Sequence, residues 1–284
     1  MALPLAGCGN VRHTALVPEL PEVETTVRGL EKVLLGKRIA RVELRRADLR
    51  RPFPEGLGQR LTGAAVTSLG RRGKFGLIHT DRGDTLIFHL GMSGKWRIDP
   101  NELQAHDHLV LDLEDGRRIA LNDPRRFGSV ELVPSAQLET LPSIQALGRE
   151  PMDLDADELH RQLNGRSAPI KSLLLDQRIA AGLGNIYVCE ALHRAHINPR
   201  RAAGRISRSA IERLVVAVRE VIEEAIAAGG STLRDYAAPN GELGYFSKRF
   251  AVYDRESRAC PCGGTIRRIV QGGRSTFYCP KCQR

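Results

Sequence analysis

Four cysteines near the end of the chain are the residues whose spacing most directly indicates chemistry. Cys260, Cys262, Cys279 and Cys282 fall within the last 25 residues. Sixteen residues separate Cys262 from Cys279 and two separate Cys279 from Cys282, close to the spacing of a structural four-cysteine zinc site. The first pair departs from this spacing because only one residue lies between Cys260 and Cys262. We expect one structural Zn²⁺ bound by all four cysteines, with free buried thiols as the alternative.

Prolines and carboxylates crowd the start of a predicted helix in LVPELPEVETTVRGL, residues 16–30. Pro21 suits an early helix position, and Gly36 ends the run of apolar residues that follows. Those apolar residues recur at helical spacing and are Val23, Val27, Leu30 and Leu34. One amphipathic helix therefore follows the cluster that contains Glu19 and Glu22.

Two glycines stand before Asn185 at the start of another predicted helix, in the stretch GLGN. Backbone N–H groups at such a turn can bind a phosphate, and the Asn185 side-chain amide could add to the contact. The alternative is an ordinary helix-turn-helix in which Asn185 is the N-cap.

Three further turns combine basic, aromatic or apolar residues with glycine: RRGKF (71–75), HLGMSG (89–94) and NDPRRFG (122–128). Each alone is typical of a solvated hairpin turn. Proteins that bend DNA insert apolar wedges between bases while Arg and Lys hold the backbone. The chain has 43 Lys and Arg against 33 Asp and Glu, a formal charge of +10 and a pI near 9.7. Together these features favour DNA as the partner over a merely solvated basic surface.

The elements that must position these residues change character along the chain. Short alternating runs over 38–133, separated by Gly- and Asp-bearing turns, predict a β-sandwich or barrel. The runs are RIARVELRR, KFGLIHT, DTLIFHLGMSG, HLVLDLEDGRRIAL and GSVELV. Later segments have helical periodicity, near 155–164, 169–178, 185–194 and 210–228. For the last helix we predict a capping box of Ser209 and Glu212, with Gly229 as the stop.

We therefore predict an α+β protein in three domains. They are a β-sandwich with a flanking helix (18–133), a helical DNA-binding domain after a linker at 134–152 (153–246), and a cysteine-clamped β-hairpin (247–284). The longest apolar stretches carry a charge every few residues, so no transmembrane helix is predicted.

The first sixteen residues, MALPLAGCGNVRHTAL, show neither helical nor strand periodicity. They lack the basic start and the apolar run of a secretory signal, so we expect a soluble, intracellular protein. Residues 1–17 are predicted to be an unstructured leader, or sequence that is absent from the working protein.

Six motifs in this order resemble bacterial formamidopyrimidine-DNA glycosylase over residues 18–284, and PELPEVE is more similar to that branch than to endonuclease VIII. The motifs are PELPEVETTVRGL, RRGK, HLGMSG, DPRRFG, LLLDQRIAAGLGNIYVCEAL and GRSTFYCPKCQ. The resemblance implies a monomeric bacterial repair enzyme, cytoplasmic and nucleoid-associated, that acts on double-stranded DNA containing oxidised bases. It would excise 8-oxoguanine and formamidopyrimidines and then cleave the strand by β,δ-elimination. It also implies a helix-two-turns-helix module and a zinc finger.

The resemblance assigns roles to individual residues. Pro18 matches a nucleophilic amino-terminal proline that forms a Schiff base, and Glu19 matches its acid-base partner. Glu22 matches a second carboxylate near the site, and Lys74 matches a lysine that contacts the lesion strand.

The remaining assignments concern DNA contacts. Met92, Arg125 and Phe127 match residues that fill the gap left by the flipped nucleotide. His89, Asn185 and Arg274 match phosphate contacts. Residues 236–246, YAAPNGELGYF, match a mobile loop that closes over the damaged base.

The leader conflicts with this chemistry because the nitrogen of Pro18 lies in a tertiary amide when Val17 precedes it. The simplest resolution is that Val17 marks the true start, since a GTG codon that initiates is read as methionine, which is readily removed before proline. Proteolysis between Val17 and Pro18 is a second route. A DNA-binding protein without catalysis and an enzyme with endonuclease VIII-like specificity are the competing hypotheses.

Overall fold

Two four-stranded antiparallel sheets form the amino-terminal part of the protein in this computed structural model, which describes residues 18–231 and 244–284. The elements of this part are α1 (Leu20–Leu34), β1 (Ile39–Leu44), α2 (Leu57–Leu61), β2 (Val66–Arg72), β3 (Phe75–Thr80), β4 (Asp84–His89), β5 (Lys95–Ile98), β6 (Asp107–Leu113), β7 (Arg118–Asn122) and β8 (Ser129–Pro134). One sheet has the order β1-β6-β7-β5 and the other β2-β3-β4-β8. The predicted β-sandwich is confirmed.

The sandwich core contains residues from both sheets together with one face of α1. Trp96 of β5 and Phe88 of β4 meet edge to face, with ring centroids 5.5 Å apart, and both are fully buried. The apolar stripe of α1 supplies Val23, Val27 and Leu30 to the same core. Beyond the sandwich, α1 also packs against a later helix of the chain, so its first turn lies where two parts of the fold meet.

The predicted strand runs correspond to β1, β3, β4, β6, β7 and β8, whereas β2 and β5 were missed. In β2 a single residue, Val66, is buried, because the strand is largely polar and its last residues approach the cleft. β5 has four residues and one buried side chain. β2 lacks the period-2 apolar alternation on which the prediction rested, and in β5 the alternation of Trp96 and Ile98 with Lys95 and Arg97 extends over four residues only.

The second part of the protein is helical. Its helices are α3 (Pro142–Gln145), α4 (Ala156–Leu163), α5 (Ile170–Leu174), α6 (Asn185–Arg194) and α7 (Arg208–Ala227). Short 3-10 turns span Ser135–Thr140, Pro151–Asp153 and Ala203–Arg205. The segment predicted as a linker thus contains α3 and two of these turns, and its Leu138 and Ile144 pack against the sheet residues Leu77 and Ile87.

Two details of the predicted helices were wrong. The N-cap of α7 is Ser207, whose hydroxyl accepts from the Ala210 N–H, so the predicted Ser209–Glu212 capping box does not form. The earlier start lets Ala210 and Ile211 enter the core while Ser209 stays exposed. The helix predicted over 169–178 ends at Leu174, because Asp176 instead accepts from the Arg178 N–H in a turn.

The third part of the protein is a two-stranded antiparallel hairpin of β9 (Arg267–Gln271) and β10 (Arg274–Tyr278), preceded by a 3-10 turn at Phe246–Arg249. Most of the predicted loop at 236–246 lies outside the described residues; of its described part, Tyr245 pairs with Ser231 and Phe246 is buried. Within 18–231 and 244–284, no helix is long and apolar enough to cross a membrane.

Candidate active site and nucleic-acid interface

Two cavities that share His89 bring together most of the residues predicted for the site. The first, about 490 Å³, is lined by Glu19, Lys74, His89, Asn185 and Arg274, among others. These residues come from all three parts of the fold. The second cavity, about 530 Å³, is lined by His89, Met92, Arg125 and Phe127 together with other residues. The two cavities therefore form one cleft that carries acid, cations and apolar side chains.

Glu19 is a buried carboxylate held by a helix that follows much later in the chain. Its Oε1 accepts from the Ile186 N–H at 2.9 Å and its Oε2 from the Tyr187 N–H at 3.4 Å, both in the first turn of α6. Burial raises the pKa of Glu19 to about 7, with Lys74 opposing the rise and Glu22 adding to it. Glu19 can therefore both donate and accept a proton near neutral pH. Pro18, the residue before it, is also buried.

The glycine turn before α6 makes room for this carboxylate. A Cβ on Gly184 would lie 2.2 Å from the Glu19 Cδ, so only glycine fits there. The anion bound by the helix start is thus the Glu19 side chain rather than a phosphate. The alternative in which Asn185 is the N-cap is wrong, because the N-cap is Gly184 and Asn185 is the first residue of α6.

Glu22 lies beneath Glu19 and links the site to the end of α7. It accepts from the Glu19 N–H at 2.9 Å, from the Tyr187 hydroxyl at 2.5 Å and from the Ser231 N–H at 2.7 Å. Burial raises the pKa of Glu22, and these hydrogen bonds oppose the rise. Glu22 thus ties Pro18–Glu19 to Ser231, the last described residue before 244.

Lys74 stands at the turn between β2 and β3 and enters the first cavity. Burial lowers its pKa; the negative Glu19 opposes that change and Arg274 adds to it. The turn is fixed by Glu150, which accepts from Arg71 at 2.7 Å, from Arg72 at 2.8 Å and from the Gly73 N–H at 2.7 Å. One carboxylate of the helical part therefore holds the turn that carries the lysine.

Replacing Glu150 by Gln should loosen this turn. The substitution keeps the shape of the side chain but removes the anion that Arg72 pairs with, and it leaves Arg71 paired with Glu24 alone. We expect a loss of about 1 to 3 kcal/mol in the free energy of unfolding, measured by urea denaturation. Glu139→Gln, at an exposed position, is the matched control. Equal stability of the two variants would contradict a role for Glu150 in holding the turn.

His89 presents a neutral ring to the cleft. Its Nδ1 accepts from the Gly91 N–H at 3.0 Å, which leaves Nε2 as the protonated nitrogen. Burial lowers the pKa of His89 to about 4, and Lys74 and Arg50 contribute to the fall. The imidazole is therefore a neutral donor suited to a phosphate oxygen.

Met92 and Phe127 stand on two loops that pack directly against each other. A Cβ on Gly91, whose φ is +62°, would lie 2.4 Å from the Phe127 carbonyl carbon, so the close approach requires glycine. Phe127 is 43% exposed, unusual for a large aromatic side chain, and the Arg125 guanidinium lies 4.9 Å from its ring centroid. Phe127 and Arg125 together form an exposed apolar and cationic wedge of the kind that enters a base stack.

Asn185 and Arg274 join the hairpin to the cleft. The Asn185 Nδ2 donates to the Ser275 carbonyl at 2.9 Å and to the Tyr253 hydroxyl at 3.4 Å, so a phosphate contact would replace one of these bonds. Arg274 begins β10 and lines the first cavity with an exposed side chain. The hairpin thereby adds a cation to the same cleft.

The four cysteines meet in one cluster, with their sulfur atoms all within 4.8 Å of one another. The Cys260 and Cys282 sulfurs are 3.9 Å apart, and those of Cys262 and Cys279 are 3.5 Å apart. Tetrahedral zinc with Zn–S bonds of about 2.3 Å requires sulfur separations of about 3.8 Å, so the cluster fits one structural zinc ion. With four protein ligands the ion has no open position for catalysis.

Residues that hold the site by buried hydrogen bonds were missed by the sequence reasoning. They include Tyr187, Ser231, Glu150 and Glu190. Glu190 is buried and accepts from the N–H groups of Ala251, Val252 and Tyr253, fixing the chain just after the 3-10 turn. Its only sequence signal was a charge on the apolar face of a predicted helix.

A cleft in which cations from the sandwich and from the hairpin surround one buried carboxylic acid, beside an exposed aromatic wedge, is typical of the helix-two-turns-helix DNA glycosylases. Three family models match the chain in succession. They describe the formamidopyrimidine-DNA glycosylase N-terminal domain (residues 17–130), its H2TH domain (147–237) and a zinc finger found in FPG and IleRS (261–284).

Individual proteins agree with this class. Formamidopyrimidine-DNA glycosylase of Rhizorhabdus wittichii is 64% identical over 270 residues, which cover 94% of this chain and all of that protein. The structure of Lactococcus lactis Fpg bound to DNA with an abasic site has a TM-score of 0.87 at 34% identity, over 94% of this chain and 99% of that one. The MutM (FPG) protein of Thermus thermophilus has a TM-score of 0.84 at 41% identity, over 94% and 98%. The chain belongs to the formamidopyrimidine-DNA glycosylase family, enzymes of base excision repair.

Proposed function

We propose that the protein excises oxidised purines from double-stranded DNA, as a monomer at the nucleoid, and then cleaves the strand at the resulting abasic site. The observation that carries the proposal is Glu19, whose pKa is about 7 and which is buried beside Pro18 in a cationic cleft. The cleft residues named above all belong to one chain, so the proposed reaction needs no residue of a second copy. Lactococcus lactis Fpg is bound in another solved structure to DNA containing Fapy-dG, which supports a ring-opened purine as substrate.

The proposed reaction begins when the Pro18 amine attacks the sugar C1′ of the damaged nucleotide. A C–N bond forms and the glycosidic bond breaks. Its electron pair leaves with the base, which takes up the proton that the proline nitrogen loses, so the nitrogen regains its lone pair. Protonated Glu19 gives its proton to the ring oxygen, the ring opens and an iminium forms between Pro18 and the sugar. Loss of a C2′ proton then expels the 3′ phosphate, and loss of the C4′ proton expels the 5′ phosphate in a second elimination. Water finally hydrolyses the iminium, which releases the sugar fragment and frees the Pro18 amine.

The other residues of the cleft would hold DNA in the required shape. Phe127, Arg125 and Met92 would occupy the stack left open by the extruded nucleotide, offsetting part of an unstacking cost of a few kcal/mol. His89, Lys74 and Arg274 would bind phosphates around the lesion. Asn185 would also bind a phosphate, and this contact would replace its hydrogen bond to Ser275 or to Tyr253.

Lesion specificity tests this proposal. Duplexes containing 8-oxoguanine or thymine glycol are incubated side by side with protein that begins at Pro18, and base release and strand cleavage are measured. We expect faster release of 8-oxoguanine and strand products with phosphate at both ends of the gap. Faster release of thymine glycol would replace the proposal by an endonuclease VIII-like specificity.

A further inference from the structure

The zinc site departs at Cys260 from the usual spacing of a structural four-cysteine zinc site. The zinc-finger match begins at residue 261 and so includes three of the four cysteines but not Cys260. Cys260 is separated from Cys262 by one residue and lies in a tight turn, in which its N–H donates to the Gly264 carbonyl and its carbonyl accepts from the Gly263 N–H, both at 2.8 Å. The position of Cys260 as a ligand therefore depends on this tight turn and on the shortened Cys260–Cys262 spacing.

A histidine from the helical part contacts this one sulfur. The Nε2 of His193, in the last turn of α6, lies 3.3 Å from the Cys260 Sγ. The ring is half-buried, and no hydrogen bond joins it to the sulfur of Cys262, Cys279 or Cys282 in the described residues. A zinc-bound thiolate has no proton, so in such a contact the imidazole N–H donates and the sulfur accepts.

The negative charge of a four-thiolate zinc site explains why this hydrogen bond would stabilise it. Zn²⁺ with four thiolates carries a net charge of −2, and donors outside the ligand set relieve it while fixing the ligand's orientation. The sulfur of Cys260 is the one for which α6 supplies a side-chain donor. At its other end, the same helix supplies the N–H groups of Ile186 and Tyr187 that hold Glu19.

We propose that His193 is a positioning residue for the zinc site. Its N–H donates to the zinc-bound Cys260 thiolate, retains that ligand despite the shortened Cys260–Cys262 spacing, and connects the metal to the helix that holds Glu19. His193 lies outside the ligand set, which remains four sulfurs.

Zinc retention is the first test. Purified holoenzyme carrying His193→Phe keeps an aromatic ring but has no donor, His193→Gln keeps a donor, and His196→Asn changes an exposed histidine three residues away. His196 has a φ of +59°, which asparagine tolerates. In competition with a chromophoric chelator, we expect His193→Phe to bind zinc about 10 to 100-fold more weakly. His193→Gln should recover part of the loss, and His196→Asn should equal the wild type.

Cobalt substitution separates a hydrogen bond from packing. The thiolate-to-metal charge-transfer band of Co²⁺-loaded protein should have four-sulfur character in the wild type and should shift in His193→Phe. Circular dichroism in excess zinc should show that His193→Phe regains its fold. Unchanged zinc affinity and an unchanged band in His193→Phe would overturn the proposal, as would equal weakening in the Phe and Gln variants. A three-sulfur, one-nitrogen spectrum in the wild type would make His193 a ligand and also overturn it.

Discussion

Protein that begins at Pro18 should be trapped covalently on an 8-oxoguanine duplex by borohydride, and protein that retains residues 1–17 should not. A free amino-terminal proline is a secondary amine with a pKa of about 8, so a fraction of the molecules has an unprotonated nitrogen at neutral pH. An amide nitrogen has its lone pair delocalised into the carbonyl and cannot form an iminium. We expect trapping by the longer chain to fall to background.

A leader could also hinder DNA physically, so a smaller extension is the matched control. Expression of a chain in which methionine and one alanine precede Pro18 leaves a single alanine there once methionine is removed. This alanine adds little bulk but converts the proline nitrogen into an amide. Binding of all three proteins to an abasic duplex should be similar, whereas trapping through Pro18, located by mass spectrometry of the cross-linked peptide, should occur only in the first. Equal trapping of the intact longer chain would exclude Pro18 as the nucleophile.

The native amino terminus decides between the enzyme and a protein that only binds DNA. The family match begins at residue 17, so residues 1–16 lie outside it. Mass analysis of protein made from its own gene should find Pro18 at the amino terminus. Protein that keeps the leader would be a DNA-binding scaffold without this chemistry.

Three of the residues that face the cleft were visible in the sequence because they lie in short, locally determined turns, whereas the roles of the site residues came from the family resemblance. Lys74, Met92 and Phe127 are flanked by glycines or basic residues whose turn chemistry is visible within a few positions. The helix start at Glu19 and the end of α7 at Gly229 were readable for the same reason. Local rules succeed where the structure depends on neighbours in sequence.

The partners of those residues could not be read in this way, because they are distant in sequence. The N–H group that holds Glu19 belongs to Ile186, 167 positions later, and Glu150 lies 77 positions after the Gly73 that it fixes. A phosphate site and an ordinary helix start were both left open for the GLGN turn, because nothing local reveals that a carboxylate of the same chain occupies it. The charge, the burial and the pKa of Glu19 therefore depend on tertiary contacts with residues that are distant in sequence.

Glu19→Gln should separate proton transfer from nucleophilic attack. Glutamine keeps the size of the side chain but cannot give a proton to the sugar, so we expect release of 8-oxoguanine to fall by about 10² to 10⁴-fold. An abasic site already exposes an aldehyde, so borohydride trapping through Pro18 on such a duplex should persist at a far larger fraction of the wild-type level. Glu31→Gln, exposed on the same helix, is the control. Equal losses in release and in trapping would show that Glu19 only supports the fold around Pro18.

The same variant should change how stability depends on pH. Burial raises the pKa of Glu19 in the folded chain to about 7 from its ordinary value of 4.5. The folded chain therefore binds this proton more tightly than the unfolded chain, and the resulting stabilisation is present below about pH 4.5 and lost as the pH rises towards 7.

The glutamine side chain of the variant carries no such proton, so the stability of the variant relative to the wild type should increase between pH 5 and pH 8, by up to about 3 kcal/mol. Thermal unfolding at the two pH values measures this difference, and a constant difference would mean that Glu19 is already ionised in the folded protein at pH 5. A variant that is less active and relatively more stable at pH 8 would show that the buried acid costs stability at the pH where it is needed for proton transfer.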